Sequence, residues 1–358
     1  MALTTSTADD ARNHARAPGG DPNPVVNAIA NTVTGLRADD DMAELLKVFD
    51  SLEPQAIEKL DPANARRQPT IADAVKALLQ RQHRPTDPEA LVPGVTSRDT
   101  TITASRGTVL PVRIYTPSGH GPFPVVVFFH GGGWVIADKD VYDGGARGIA
   151  KEAQAIVVSV DYRQAPEHKF PAAWDDAADA YAWTAAHAAE LGGDPARVAL
   201  AGESAGGNLA VATAIAARDA GLPTPAHVLT VYPVAQTSLY TESELANAVV
   251  KPLNRPMVKW FVEHLIRSED DLKDPRLQLI EADLAGLPPV TIINAHIDPL
   301  RSDGAKLEDA LRRAGVPVER RDYDGATHEF FGAAPVVEKA RQAQAFAGER
   351  LRAAFGAV

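Results

Sequence analysis

The sequence predicts an α/β fold, a mostly parallel sheet flanked by helices, with a separate helical segment ahead of it. Three observations lead there. Short apolar runs almost free of charge recur along the chain beyond residue 100, helical stretches lie between several of them, and the first hundred residues carry helical periodicity instead. Strands covered by helices on both faces read as continuous apolar runs rather than as alternating ones.

In chain order, residues 1–24 are polar and carry Pro and Gly, with little reason to fold. Over residues 26–36, Val26, Ile29, Val33 and Leu36 recur at helical spacing, and Ile71, Val75 and Leu78 repeat the pattern. Thr70 with Asp73 three residues on is a capping arrangement that places the start of the second helix. After a linker over residues 85–94 come two β-rich runs, 101–105 and 109–115, separated by Arg106 and Gly107, which is a hairpin signal. Residues 125–129, 155–160, 198–201, 228–231 and 290–294 are the expected buried strands, with helices over 172–191 and 205–220 between them. Between Pro233 and Pro288 the alternation breaks, and residues 257–265 read as an amphipathic helix within an insertion. The expected organisation is an N-terminal helical cap segment, residues 1–95, and an α/β domain, residues 96–358, with a cap insertion at about 234–287.

With 45% hydrophobic and 23% charged residues, this 358-residue chain can bury a sizeable core. Acidic side chains number 47 against 36 basic ones, and the resulting net charge of −11 repels phosphate backbones. Nucleic acid is therefore not an expected partner. The absence of cysteine removes thiol nucleophiles and zinc-thiolate sites, so the chemistry must rest on oxygen and nitrogen groups. No apolar stretch is long enough to span a bilayer, and residues 1–10 lack the basic and apolar regions of a leader peptide. The chain reads as cytoplasmic, or as periplasmic or secreted if a leader has been removed ahead of Met1.

Gly202-Glu203-Ser204-Ala205-Gly206 follows one apolar run directly and precedes a long helical stretch, the context of a nucleophile elbow. Its glycines answer a steric demand, because the strand-to-helix turn is too sharp for side chains two residues either side of the serine. His130-Gly131-Gly132-Gly133-Trp134 follows another apolar run. The N–H groups of Gly132, Gly133 and Ala205 would make a three-donor hole for an oxyanion. A base and its orienting acid should follow in the order Ser, Asp, His. His328, in a Gly-containing loop after the run 318–323, is the expected base; His296 and His264 are read as structural. Asp298, just past the run 290–294, is the expected acid, and its rival Asp303 is read as capping a helix that starts near Ala305. His130 is read as a loop anchor, and Arg163 with Glu167 as a buried ion pair supporting a loop. Trp134, Met257, Trp260 and Phe261 line an acyl or alcohol pocket or else belong to cap core.

The two glycine motifs together, with residues 161–168, Asp298-Pro299-Leu300-Arg301 and Gly325-Ala326-Thr327-His328, resemble the hormone-sensitive-lipase-like branch of the α/β hydrolases, bacterial esterases with HGGG and GDSAG signatures. The likeness covers nearly all of residues 100–335. It implies an α/β-hydrolase fold with an eight-stranded sheet, a helical cap, and a serine esterase that prefers short acyl chains. No cofactor or metal is implied. The expected partners are a small ester and water, and a homodimer stays open. Three residues depart from the family pattern: Glu203 for Asp, Gln164 for Leu, and Glu329 after the histidine where Gly is common. A binding protein of the same fold and a peptidase are the rival readings; retention of His328 argues against the first, and the lack of any repeat for a propeller against the second.

Overall fold

A computed structural model describes residues 32–104 and 107–356. Its sheet has eight strands: β1 (Val95–Thr103), β2 (Val109–Pro117), β3 (Phe123–Phe129), β4 (Ile156–Val160), β5 (Gly193–Glu203), β6 (Val228–Val231), β7 (Val290–Ile297) and β8 (Val318–Thr327). Their spatial order is β1-β2-β4-β3-β5-β6-β7-β8. β2 is antiparallel to both of its neighbours, and the remaining pairs are parallel. This is the expected hydrolase sheet, and every expected strand overlaps one of these eight, with 101–105 running past the end of β1 and 155–160 starting one residue before β4.

Among the described residues, eight longer helices surround it: α1 (Asp40–Ser51), α2 (Ile71–Arg81), α3 (Asp143–Ala153), α4 (Ala172–His187), α5 (Ala205–Asp219), α6 (Arg255–Leu265), α7 (Arg301–Arg313) and α8 (Glu338–Ala354). The two-sided burial of the sheet follows from its period of two. Val125, Val127 and Phe129 of β3 join a core with Trp174 of α4 and Leu209 of α5, whereas Val126 and Phe128 face Ile149 of α3 and Phe346 of α8. Each such fully buried side chain contributes about 1.5–3 kcal/mol. Among the described residues no helix is long and apolar enough to cross a membrane.

The N-terminal segment joins that second core through Met42, Leu45, Leu78 and Leu79. α2 starts where Thr70 and Asp73 place it: the Thr70 side chain accepts the Asp73 N–H at 3.2 Å, and Asp73 accepts the Thr70 N–H at 2.8 Å. α1 was not anticipated, because its acidic first turn obscures the apolar stripe of Met42, Leu45, Leu46 and Phe49. The run 26–36 is corrected in part. Val26 and Ile29 lie outside the described residues, Val33 is half-buried, and Leu36 is 82% exposed, while Thr34 is the buried residue of that turn. The linker over residues 85–94 contains a short helix, Pro88–Leu91, started by Asp87, whose side chain accepts the Ala90 N–H.

Candidate active site

Two register matches assemble the site at the C-terminal edge of the sheet. Phe129, the last residue of β3, pairs with Gly202 of β5, so the loop from His130 and the turn at Ser204 emerge side by side. Ile297 of β7 pairs with Thr327 of β8, so the next residues, Asp298 and His328, also emerge together. Parallel strands thus bring 204, 298 and 328 to one edge.

At the turn, Ser204 has φ +56° and ψ −118°, a backbone conformation that costs on the order of 1–3 kcal/mol for a residue with a Cβ. The crowding that compels glycine two residues away is direct. A Cβ on Gly206 would fall on the carbonyl oxygen of Phe129, and one on Gly202 would fall on that of Gly206. Ser204 Oγ lies 3.0 Å from His328 Nε2, and His328 Nδ1 lies 2.7 Å from Asp298 Oδ2. A carboxylate only accepts, so Nδ1 carries the proton and Nε2 faces the serine hydroxyl as acceptor. The other oxygen of Asp298 accepts the Leu300 N–H at 2.8 Å, and Asn247 Nδ2 donates to the Asp298 carbonyl at 3.0 Å.

Burial pulls the His328 imidazolium down, but the charge and hydrogen bond of Asp298, helped by the charge of Glu329, outweigh it and hold the pKa above its ordinary value. Two further carboxyls lie near the ring, Glu329 next to it in the chain and Glu203 behind Tyr232. Glu203 is pushed up to about 8 by burial, against the hydrogen bond that Tyr232 O–H donates to it. Glu329, at φ +63°, is also raised by burial, although His328 and the Tyr142 hydroxyl at 3.1 Å oppose the shift. The Tyr232 ring lies 4.5 Å from the imidazole. Glu203 and Glu329 are the two family departures nearest the serine and the histidine. Their meeting around His328 through Tyr142 and Tyr232 had no signal in the sequence, since Tyr142 and Tyr232 are far from both motifs.

Among the described residues, no acceptor engages the N–H groups of Gly132, Gly133 or Ala205. Gly132 (φ +94°) and Gly133 (φ +59°) are tightly packed: a Cβ on the first would strike the Ile136 carbonyl, and one on the second the Phe261 ring. His130 stacks on Tyr162 at 4.3 Å, its Nδ1 is 2.8 Å from the Gly131 carbonyl, and Tyr162 O–H donates to the His130 carbonyl at 2.8 Å. That is an anchored loop.

Ser204 opens on two cavities of unequal size. The larger, of about 1170 Å³, runs between the glycine loop and the N-terminal segment, with Phe49, Leu52, Ile71, Met257 and Phe261 in its walls. The smaller, of about 40 Å³, lies beyond Gly133 and is walled by Trp134, Val234, Leu253, Phe261 and Leu265. Trp134, Met257 and Phe261 therefore border the serine's surroundings. Trp260 does not. It lines neither cavity, and its Nε1 donates to the Leu60 carbonyl at 3.1 Å, tying the insertion to the N-terminal segment.

Two other expectations are corrected. Arg163 pairs with Asp176, at 2.7 Å, and not with Glu167. Asp176 is fully buried on α4 and needs a cation, whereas Glu167 is exposed and takes Arg66 at 2.7 Å. Asp303 caps nothing, because α7 already begins at Arg301; its buried carboxyl accepts the Ala235 N–H at 3.0 Å and Gln236 Nε2 at 2.9 Å, fastening the start of the insertion. His296, paired with Asp324 at 2.9 Å, and His264, 2.9 Å from the Trp260 carbonyl, take no part in the site. No group of three or more His, Asp or Glu among the described residues is placed to hold a metal.

A buried Ser-His-Asp relay on a strained strand-to-helix turn, beneath a glycine loop, defines a hydrolase-type centre. Residues 126–332 match the family described as the alpha/beta hydrolase fold, and the chain belongs to that family, in its hormone-sensitive-lipase-like branch. It is 41% identical over 279 residues to the carboxylesterase NlhH of Mycobacterium tuberculosis, covering 76% of this chain and 88% of that protein. To the esterase LipI of the same organism it is 38% identical over 307 residues, covering 82% and 92%. Among solved structures, the hyperthermophilic esterase of the archaeon Pyrobaculum calidifontis superposes with a TM-score of 0.77 at 32% identity, covering 88% of this chain and 97% of that one.

Proposed function

We propose that this protein is a serine carboxylic ester hydrolase acting on small esters with short acyl groups, with Ser204 as nucleophile, His328 as general base and Asp298 as the acid that orients it. Ser204 Oγ attacks the ester carbonyl carbon while His328 Nε2 takes its proton. The oxyanion is stabilised by the N–H groups of Gly132, Gly133 and Ala205. On collapse the carbon–oxygen bond to the alcohol breaks and His328 returns the proton to the leaving oxygen. Water, deprotonated by the same histidine, then releases the acid from Ser204. The observation that carries the reading is the continuous chain of 3.0 Å from Ser204 to His328 and 2.7 Å from His328 to Asp298.

The acyl preference is supported by the smaller cavity. At about 10–15 Å³ for each water-sized group, its 40 Å³ holds about three or four heavy atoms. The larger cavity would receive the alcohol. Residues 32–95 and the insertion act as a cap over this space, Met257 and Phe261 contributing its wall. Ser204→Ala tests the assignment: release of nitrophenol from nitrophenyl butanoate should fall by roughly 10⁴-fold or more with circular dichroism unchanged. Near wild-type turnover in that variant would overturn it.

A further inference from the structure

The smaller cavity beside Ser204 has mostly aliphatic and aromatic walls, yet it contains an acid. Glu244, in the short helix Glu242–Ala246 of the insertion, lines that cavity and is 1% exposed. Its Oε2 has no hydrogen-bond partner among the described residues. Apart from the Trp134 indole N–H, which is also without a partner among the described residues, the other polar side chains there are engaged. Asp303 and Gln236 bond each other, Thr237 bonds the Leu272 carbonyl and Gln278, and Ser238 Oγ accepts the Tyr240 N–H. An orphaned polar group in an apolar recess is costly, and an aliphatic side chain would avoid that cost. A ligand that completes its bonding removes it.

We propose that this recess is an acyl subsite that selects short acyl groups bearing a hydroxyl, with Glu244 as the specificity-determining partner of that hydroxyl. A hydroxyl both donates and accepts, so it satisfies the carboxyl in either protonation state. An ammonium would have to shed its water among Val234, Val258 and Leu265 and would demand an ionised partner. Burial and the neighbouring charges of Asp303 and Asp298 work against that ionisation, with Arg255 opposing them, and hold Glu244 at about 8. An unsubstituted acyl chain fills the recess but leaves the carboxyl bare. A site built to bond a hydroxyl discriminates strongly against the analogue lacking it.

Resting on the hydrolase reading above, the test measures kcat/KM of the full chain for ethyl esters in matched pairs: acetate with hydroxyacetate, propanoate with 3-hydroxypropanoate, and butanoate with its 3- and 4-hydroxy forms. At one hydroxyl position at least, the hydroxylated ester should be preferred by about tenfold, and an ethyl 3-aminobutanoate control should not be. Glu244→Leu should bring the ratio to one or below, and Glu244→Gln, which still donates and accepts, should keep most of it. A ratio of one or less at every position in the wild type overturns the subsite without any variant. So does an undiminished ratio in Glu244→Leu, or preference for the amino ester. Nitrophenyl butanoate serves as the separate control: no turnover there defeats the hydrolase reading itself, while turnover with no hydroxyl preference defeats only the role of Glu244.

Discussion

At the scale of single residues, the two aspartates after β7 are told apart by what their oxygens meet. Asp298 faces His328 at 2.7 Å, whereas both oxygens of Asp303 are occupied by Ala235 and Gln236. Asp298→Asn should lower kcat by about 10³–10⁴-fold, because the amide favours the wrong histidine tautomer. Asp303→Asn should cost less than about tenfold, and purified variants ranked the other way would transfer the role. Glu329 bears on the pH profile. Its charge raises the His328 pKa, and the base must be neutral to work, so the acid limb of kcat/KM lies above an ordinary histidine value. Glu329→Gln should move that limb to lower pH, leaving Asp298, Glu203, Tyr142 and Tyr232 in place around the ring. An unmoved limb would mean that Glu329 does not act on the base. Ser204 and His328 were legible as candidates because each stands in a motif with a local steric reason. The raised pKa values of Glu203 and Glu329 were not, because they come from burial, which is decided by packing and not by the neighbouring residues in the chain.

At the scale of elements, the N-terminal segment reaches Asp298 through two hydrogen bonds. Arg37 Nη1 donates to Asn247 Oδ1 at 2.8 Å, and Asn247 Nδ2 donates to the Asp298 carbonyl at 3.0 Å. Removing the first forty residues takes away Arg37 without touching the relay. Turnover should fall by about tenfold with the chain-length preference unchanged, because among the described residues no wall residue of either cavity precedes Phe49, and Asn247→Ala should reproduce the fall. An unchanged rate in the truncated enzyme would show that Arg37 does not position Asp298. α2 was legible as an element from its capping box and apolar spacing. The connections from Arg37, Leu60 and Arg66 to the rest of the molecule were not, since a side chain's partner depends on how whole elements pack.

For the molecule as a whole, buried carboxyls set the direction of the pH dependence. In the folded state burial pushes Glu203 and Glu244 up to about 8 and Asp303 to about 7, all above ordinary carboxyl values. The folded state therefore binds more protons than the unfolded one through that window. Their contribution to stability is fully present below about pH 4 and is lost as pH rises through about 8. His227 acts oppositely at the acid end: burial lowers it to about 4, so stability falls as pH drops from its ordinary value through about 4. The urea midpoint should accordingly be higher near pH 6 than near pH 8.5, and Glu203→Gln should shrink the difference. Equal midpoints in the wild type would contradict buried, protonated carboxyls.

What the sequence determined by itself was whatever a few adjacent residues decide sterically. Apolar runs of four to six residues had to be buried strands. The turn at Ser204 needed glycine at 202 and 206 because backbone lies where a Cβ would be. Asp298 and His328 could be chosen because chain order and strand ends restrict which side chains reach the sheet edge. Tertiary structure alone decided the pairings that cross elements: Asp176 rather than Glu167 for Arg163, Leu60 rather than a substrate pocket for Trp260, and an orphaned Glu244 in the wall of the smaller cavity. Those depend on register and packing over tens to hundreds of residues, where burial and distance, not residue type, fix which polar group finds a partner and which does not.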